Sequence, residues 1–221
     1  MIGKTPASGE RPRRRRPSRD ARREEILEVA TDVFLERGYE AGAMSEVARR
    51  LGGSKETLYR YFRCKEALFA AVVQESVARH GRQAFGDVLE SGELAIDLER
   101  LGRALLTFLT SDEHVALRRA VLAEAGRSDL GKLCFEHGRR TALEPVAARL
   151  AKAMAQGRLR RADPWTAAMH FRGLCQSGLY DLRLEGVIEA LTAEEIARAV
   201  DEAVDVFLRA YAFRRYATAP T

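Results

Sequence analysis

Apolar residues first fall into a helical rhythm at Ile26, Ala30, Val33 and Phe34, a spacing of i, i+4, i+7 and i+8 that predicts one helix face, closed by Gly38. Two short periodic stretches follow. One runs from about Met44 to Leu51 and ends in Gly52–Gly53, and the other runs from Lys55 to Tyr61 with Ser54 placed as its N-cap. A longer helix is predicted over Lys65–Phe85, its inner side carrying Leu68, Phe69, Val72 and Val73. Beyond Gly92 the pattern predicts helices near 94–110, 113–125, 129–156, 164–183 and 192–212. Asp163–Pro164 reads as an N-cap with proline at the first helical position, and Thr192–Ala193–Glu194–Glu195 as a capping box. Gly157 should close the helix before it, and Pro145 should bend or split that helix. No segment alternates as a strand does. The expected fold class is all-α, about nine helices, with a small N-terminal helical unit joined to a larger one.

The span 44–62 is a short helix, a tight turn and a second short helix, the layout that offers its second helix to the DNA major groove. Ala48 is small enough for the two to cross closely, and Val47, Leu51, Leu58 and Phe62 supply a shared core. Seven residues make a helix of about 10 Å, which fits end-first into a groove about 12 Å wide. Lys55 offers a cation, and Thr57, Tyr59 and Tyr61 offer hydroxyls, for phosphate oxygens. Lys65 adds a cation beside the free N–H groups of a helix start.

Residues 22–69 resemble the DNA-binding domain of the tetracycline-repressor (TetR) family. The matching features are the Ile26/Ala30/Phe34 helix, Gly38–Tyr39, Val47–Ala48, Gly52, Ser54–Lys55, Thr57–Leu58–Tyr59, Tyr61–Phe62 and Lys65–Glu66. Gly157–Arg158–Leu159 leading into Asp163–Pro164 is similar to the family as well. The resemblance implies a homodimer on a partly palindromic double-stranded operator, usually as a repressor, with a C-terminal domain that binds a small effector and releases the DNA. Carried onto this chain, it makes Ser54, Lys55, Thr57, Tyr59, Tyr61 and Lys65 DNA-binding residues, mostly to phosphate, with Ser45, Glu56 and Arg60 where base choice varies. The chain departs from the family at Gly42–Ala43, where Thr or Ser usually precedes the first short helix, and at Gly53, where an apolar residue usually packs. Glu46 thus sits in a capping box without its hydroxyl partner, a loss of about 1 kcal/mol. Glu56 is either a solvated acid at a helix start or an acceptor for a cytosine amino group.

Charge adds a further candidate. The chain has 221 residues and a net charge of +5, with 46 % apolar and 31 % charged residues. Residues 1–23 carry the whole excess, chiefly through Arg11, Arg13, Arg14, Arg15 and Arg16. Such a run repels itself and buries nothing, so residues 1–18 are expected to form a disordered arm. It is either a solvated tail or an arm following the phosphate backbone or minor groove. Residues 19–80 are then the reading head, with the helix-turn-helix at about 43–62, and 81–221 the effector and dimerisation domain.

Other chemistry is thin. Three separated cysteines form no disulfide framework and suit a reducing cytoplasm; no apolar run approaches a membrane span, and no export signal is seen. Cys134 and His137 lie at i, i+3 without a second ligand pair, so no metal or cofactor is expected. No nucleophile, phosphate-loop or zinc-protease motif marks an enzyme. Candidates for the effector pocket are Phe108, Leu117, Arg118, Leu122, Phe135, His170 and Phe171. Candidates for the dimer seam are Trp165, Leu174, Ser177, Gly178, Leu182, Val200, Val204, Phe207 and Tyr211, on what the family uses as a four-helix bundle. Two alternatives stand beside the repressor: a DNA-binding protein whose C-terminal domain meets a protein, and a helical enzyme with a vestigial head.

Overall fold

The computed structural model describes residues 18–85 and 92–212, and Arg13, Arg14, Arg15 and Arg16 of the expected arm lie outside them. The described residues are helical almost throughout, with one isolated bridge between Leu159 and Ala212. The first helix, α1 (Arg19–Ala41), starts at Ser18, whose Oγ accepts from Ala21 N at 3.1 Å. It buries Ile26, Leu27, Ala30, Val33 and Phe34. At Gly38 the backbone swings to φ +71°, ψ 176°, which ends the regular helix one turn early and throws Tyr39 back inward. There Tyr39 and Phe34 both meet Phe69 edge-on, with ring centroids 5.0 Å apart in each pair.

Two short helices follow, α2 (Met44–Arg50) and α3 (Lys55–Tyr61), then α4 (Lys65–Phe85). Val47, Ala48, Leu58 and Phe62 are buried between them, and the end of α2 is closed by Gly53 N donating to Ala48 O at 3.1 Å. Beyond these run α5 (Leu94–Thr110), α6 (Asp112–Ala123), α7 (Leu130–Cys134), a π-helical turn (Phe135–Arg140), α8 (Thr141–Ala155), α9 (Pro164–Gln176), α10 (Leu179–Glu185) and α11 (Ala193–Tyr211).

Two predicted helices are each divided. The 129–156 stretch is interrupted at the π turn rather than at Pro145, which α8 carries in its interior. The wide turn has already re-registered the hydrogen-bond ladder, and its Gly138 lies so close to α4 that a Cβ there would sit 3.0 Å from Val73 Cγ1. The 164–183 stretch breaks at Ser177–Gly178, where Gly178 takes φ +79°. Both expected caps are present. Asp163 Oδ1 accepts from Thr166 N at 2.7 Å, and Thr192 and Glu195 exchange both bonds of the capping box.

The core divides in two. One cluster joins α1–α4 to Leu117 and Val121 of α6 and to Leu130 and Cys134 of α7. The other joins α5, α8, α9 and α11 around Phe171 and Phe207. The expected dimer residues Val200, Val204, Phe207 and Tyr211 lie inside this second core, each 4 % exposed or less. Their i, i+4, i+7, i+11 stripe faces α5 and α9 of the same chain, so they are corrected from seam to core. Leu174 is half-buried against that core and Trp165 is half-buried, while Ser177, Gly178 and Leu182 are exposed.

Candidate nucleic-acid interface and internal cavity

The reading head is built from glycines and ion pairs as much as from its core. Gly42 is buried, and a Cβ on it would fall 2.7 Å from both Gly38 O and Phe34 Cδ1. Gly42, one residue before the N-cap of α2, therefore has no room for a larger side chain. Ala43, the N-cap of α2, makes no side-chain bond. Glu46 instead serves three arginines, accepting from Arg49 Nη2 at 2.8 Å and Arg50 Nε at 3.0 Å, with Arg37 Nη2 at 3.3 Å. Arg50 continues to Glu36 of α1 through two further bonds of 2.8 and 2.5 Å. Hydrogen bonds from Arg49 and Arg50 hold the Glu46 carboxyl down at about 2. Gly53 is exposed, and the space above it is taken by Arg22, whose guanidinium would stand 3.2 Å from a Cβ there. Arg22 also ties the turn to α1 by donating to Leu51 O at 3.5 Å.

On this frame α3 presents Lys55, Glu56, Tyr59 and Arg60 to the outside, Tyr59 being 48 % exposed. Lys55 and Tyr59 share an open groove with Ser45 at the start of α2, and with Arg63 and Lys65. Arg63 is a cation the sequence reading missed, because it sits in the bend after α3 and belongs to no helix face. Ser54 acts within its own turn, where its Oγ accepts from Thr57 N at 3.2 Å and lies 3.1 Å from Thr57 Oγ1. Tyr61 is half-buried against the first core. Lys65 Nζ is folded back, donating to Glu40 O at 2.9 Å and standing 4.2 Å from the Tyr39 ring centroid. Burial there lowers the Lys65 pKa.

A cavity of about 290 Å³ lies where the two cores meet. Val73, Ser76 and His80 reach it from α4, and Leu101, Leu105 and Phe108 from α5. His114, Leu117 and Arg118 come from α6, Phe135 and Arg139 from the π turn, and Phe171 and Arg172 from α9. Five expected pocket residues are thus brought together: Phe108, Leu117, Arg118, Phe135 and Phe171. Two are not. Leu122 is 44 % exposed on the solvent side of α6, a full turn past Arg118. His170 lies one residue off the inward register of Phe171, and its Nδ1 pairs with Tyr211 OH at 2.6 Å.

The sequence reading missed Arg139 and Arg172, whose presence changes the cavity's character. Its apolar wall carries three guanidinium groups and, among the described residues, no carboxylate. Burial, then the neighbouring arginines and His80, push His114 down to about 3, so it stays neutral. Burial and Arg139 push Arg172 down to about 10. Cys134 is pushed up to about 12 by burial, which makes it an inert wall. No cluster of three metal-ligating groups occurs among the described residues, and no helix among them is long and apolar enough to cross a membrane.

Residues 26–72 match the family model described as bacterial regulatory proteins, tetR family, and residues 96–213 match that of the AefR-like transcriptional repressor C-terminal domain. The chain is 39 % identical over 112 residues to the transcriptional activator FasR of Mycolicibacterium smegmatis, covering 50 % of this chain and 49 % of that protein. It is 40 % identical over 58 residues to the transcriptional repressor AcnR of Corynebacterium diphtheriae, covering 26 % of this chain and 30 % of that one. In these matches the chain spans about half the length, or less, of the curated relatives. Among solved structures, a TetR-family regulator from Mesorhizobium loti superposes with a TM-score of 0.78 at 29 % identity, covering 89 % of this chain and 100 % of that one. The flavonoid-responsive regulator FrrA superposes with a TM-score of 0.73 at 31 % identity, covering 87 % and 97 %.

Proposed function

The chain belongs to the tetR family of bacterial regulatory proteins, and on that premise we propose that it is a sequence-specific DNA-binding transcriptional regulator, a repressor released from its operator by a small molecule. The observation that carries the reading is the open groove in which Ser45, Lys55, Tyr59 and Arg63 converge beside the exposed start of α3. Four donors on one rim suit a phosphate path, and Glu56 and Arg60 then face the bases. One head reads one half-site. Two copies reach half-sites about 34 Å apart, so a homodimer belongs to the mechanism. Because the stripe 200/204/207/211 is core, the dimer face is assigned to the outward residues Leu182, Val187 and Val206, which are 38 %, 64 % and 48 % exposed.

The route from cavity to head runs through shared helices. On α4, Leu68, Phe69 and Val72 lie in the head's core, while Val73, Ser76 and His80 wall the cavity. On α6, Leu117 and Val121 do both at once. A ligand that prefers one placement of these helices therefore prefers one spacing of the heads, which is what release requires. FrrA's name marks it as flavonoid-responsive, and that supports a small organic molecule as the signal. The test is selection of bound sequences from random duplex DNA by the full chain at near-physiological salt. An enriched two-fold site is expected, with Lys55→Gln weakening all sites alike and Glu56→Ala altering base preference. Selection of no site by a correctly folded protein would overturn the reading.

A further inference from the structure

Among the described residues, the fully buried arginine is paired and holds structure. Arg183, 7 % exposed, binds the Asp112 carboxylate and donates to Thr110 O at 3.2 Å, locking α10 to the start of α6. Arg118, Arg139 and Arg172 are partly buried around the cavity, and none of them forms an ion pair among the described residues. Arg139 lies 5.8 Å from the Phe135 ring centroid, a contact that neutralises no charge. Beyond the effect of burial, Arg118 lowers the proton affinity of Arg139 and Arg172, and Arg139 that of Arg172, so like charges meet in an apolar surround. A second polar group is also without a partner: Ser76 Oγ, on the cavity wall of α4, is buried and makes no hydrogen bond. Helix serines commonly bond back to a carbonyl one turn earlier, and this one does not.

We propose that the cavity binds an anion with an apolar body, its carboxylate or phosphate held by Arg118, Arg139 and Arg172 and its hydrocarbon or aromatic part by Leu101, Leu105 and Phe108. This deepens the reading of the cavity as the effector site and rests on it. The anion supplies the counter-charge that the wall lacks, and guanidinium forks bind carboxylate or phosphate oxygens two at a time. A volume of about 290 Å³ matches the smaller end of small-molecule sites. The three arginines come from α6, the π turn and α9, so a bound anion draws together elements belonging to both cores. The pull on α6 reaches the head directly through Leu117 and Val121.

Calorimetric titration of the full chain with matched pairs tests this: decanoate against decanol, and 2-naphthoate against 2-naphthylmethanol, with decyl phosphate to distinguish the acidic group. At least one anion should bind tenfold or more tightly than its neutral partner. Arg172→Met and Arg139→Met should each remove at least that advantage, and the ligand-free Tm of each should stay level or rise because a repulsion has been removed. A fall in anion binding with a fall in Tm would mark the arginines as structural and overturn the proposal, as would equal binding of acid and alcohol or binding of neither. Repeating the titration with the selected operator separates the two readings. DNA binding without anion preference removes this proposal alone, whereas anion preference without any effect on DNA keeps the site and removes its role as effector.

Discussion

The arginines of the reading head and those of the cavity sit in comparable numbers on neighbouring helices, yet they are treated in opposite ways. Arg37, Arg49 and Arg50 share Glu46, and Arg50 also takes Glu36, so α1 and α2 are clamped by charges that are mutually satisfied. Arg118, Arg139 and Arg172 face one another across apolar wall without a carboxylate among the described residues. The same contrast appears in packing. In the head, Gly42 leaves no space for even a methyl group, whereas Gly131 on the cavity wall has nothing within 4 Å of where its Cβ would stand. Partnered charge and full packing belong to a part whose shape must be kept. Unpartnered charge and empty volume belong to a part whose shape is completed by something else.

The largest effect expected from breaking this contrast is in the head. Gly42→Ala places a Cβ against a backbone carbonyl and an aromatic carbon, neither of which can yield without moving α1. Overpacking of this kind costs about 1–3 kcal/mol. At this chain length each kcal/mol lowers Tm by about 2–4 °C. Thermal unfolding followed by circular dichroism reads it, and an unchanged Tm would show that the head has slack the structure denies.

The ion-pair clamp gives the next effect through pH. Because Glu46 is held at about 2 rather than 4.5 by Arg49 and Arg50, its contribution is fully present above about 4.5 and is lost as pH falls toward 2. The hydrogen bond from Arg50 lowers Glu36 in the same direction. Glu46→Gln should therefore lower Tm by a few degrees at neutral pH and flatten its fall on acidification. Parallel curves for the two proteins between pH 5 and 2 would show that the clamp contributes nothing.

The head was legible because its determinants are local. Gly38, Gly52, Ser54, the Ala48 crossing and the pair Leu58 and Phe62 each act within a few residues, and each stands where its chemistry places it. Arg63 escaped because a bend has no periodicity to read. The dimer stripe misled for a related reason: 200/204/207/211 marks a buried face, and period alone does not say whether α5 or a second copy covers it. The cavity was half-legible. Arg118 and Arg172 carry a signal, since their i±3 and i±4 neighbours include no acid to pair with. For Arg139 the signal is hidden, because Glu136 stands three residues before it but pairs with Arg140. That cancellation, and the π turn that aims Arg139 inward, arise only from tertiary contacts.

A smaller effect tests the missing cap of α2. Ala43 has an extended backbone at φ −91°, ψ 143°, which suits an N-cap, and makes no side-chain bond. Ala43→Ser restores an acceptor for the free N–H groups of the first turn and should stabilise the protein by about 1 kcal/mol. Denaturant unfolding gives the difference directly. A loss would mean that the hydroxyl competes with the Glu46 clamp for the same turn, and that the two devices are alternatives rather than additive.

The smallest effect separates an unfilled wall from a tight one. Gly131 lies inside α7 on the cavity surface, with no positive φ and with open space where a Cβ would go. Alanine there removes the conformational freedom that glycine gives the unfolded chain, a gain of about 0.5 kcal/mol. Gly131→Ala should thus raise Tm slightly while Gly42→Ala lowers it, the same substitution with opposite signs in the two regions. If the cavity is kept open for a ligand, the added methyl should also weaken the anion that fits it best while leaving shorter members of the same series unaffected. Equal binding along the whole series would place Gly131 outside the occupied volume and confine the ligand to the side walled by α5 and α9.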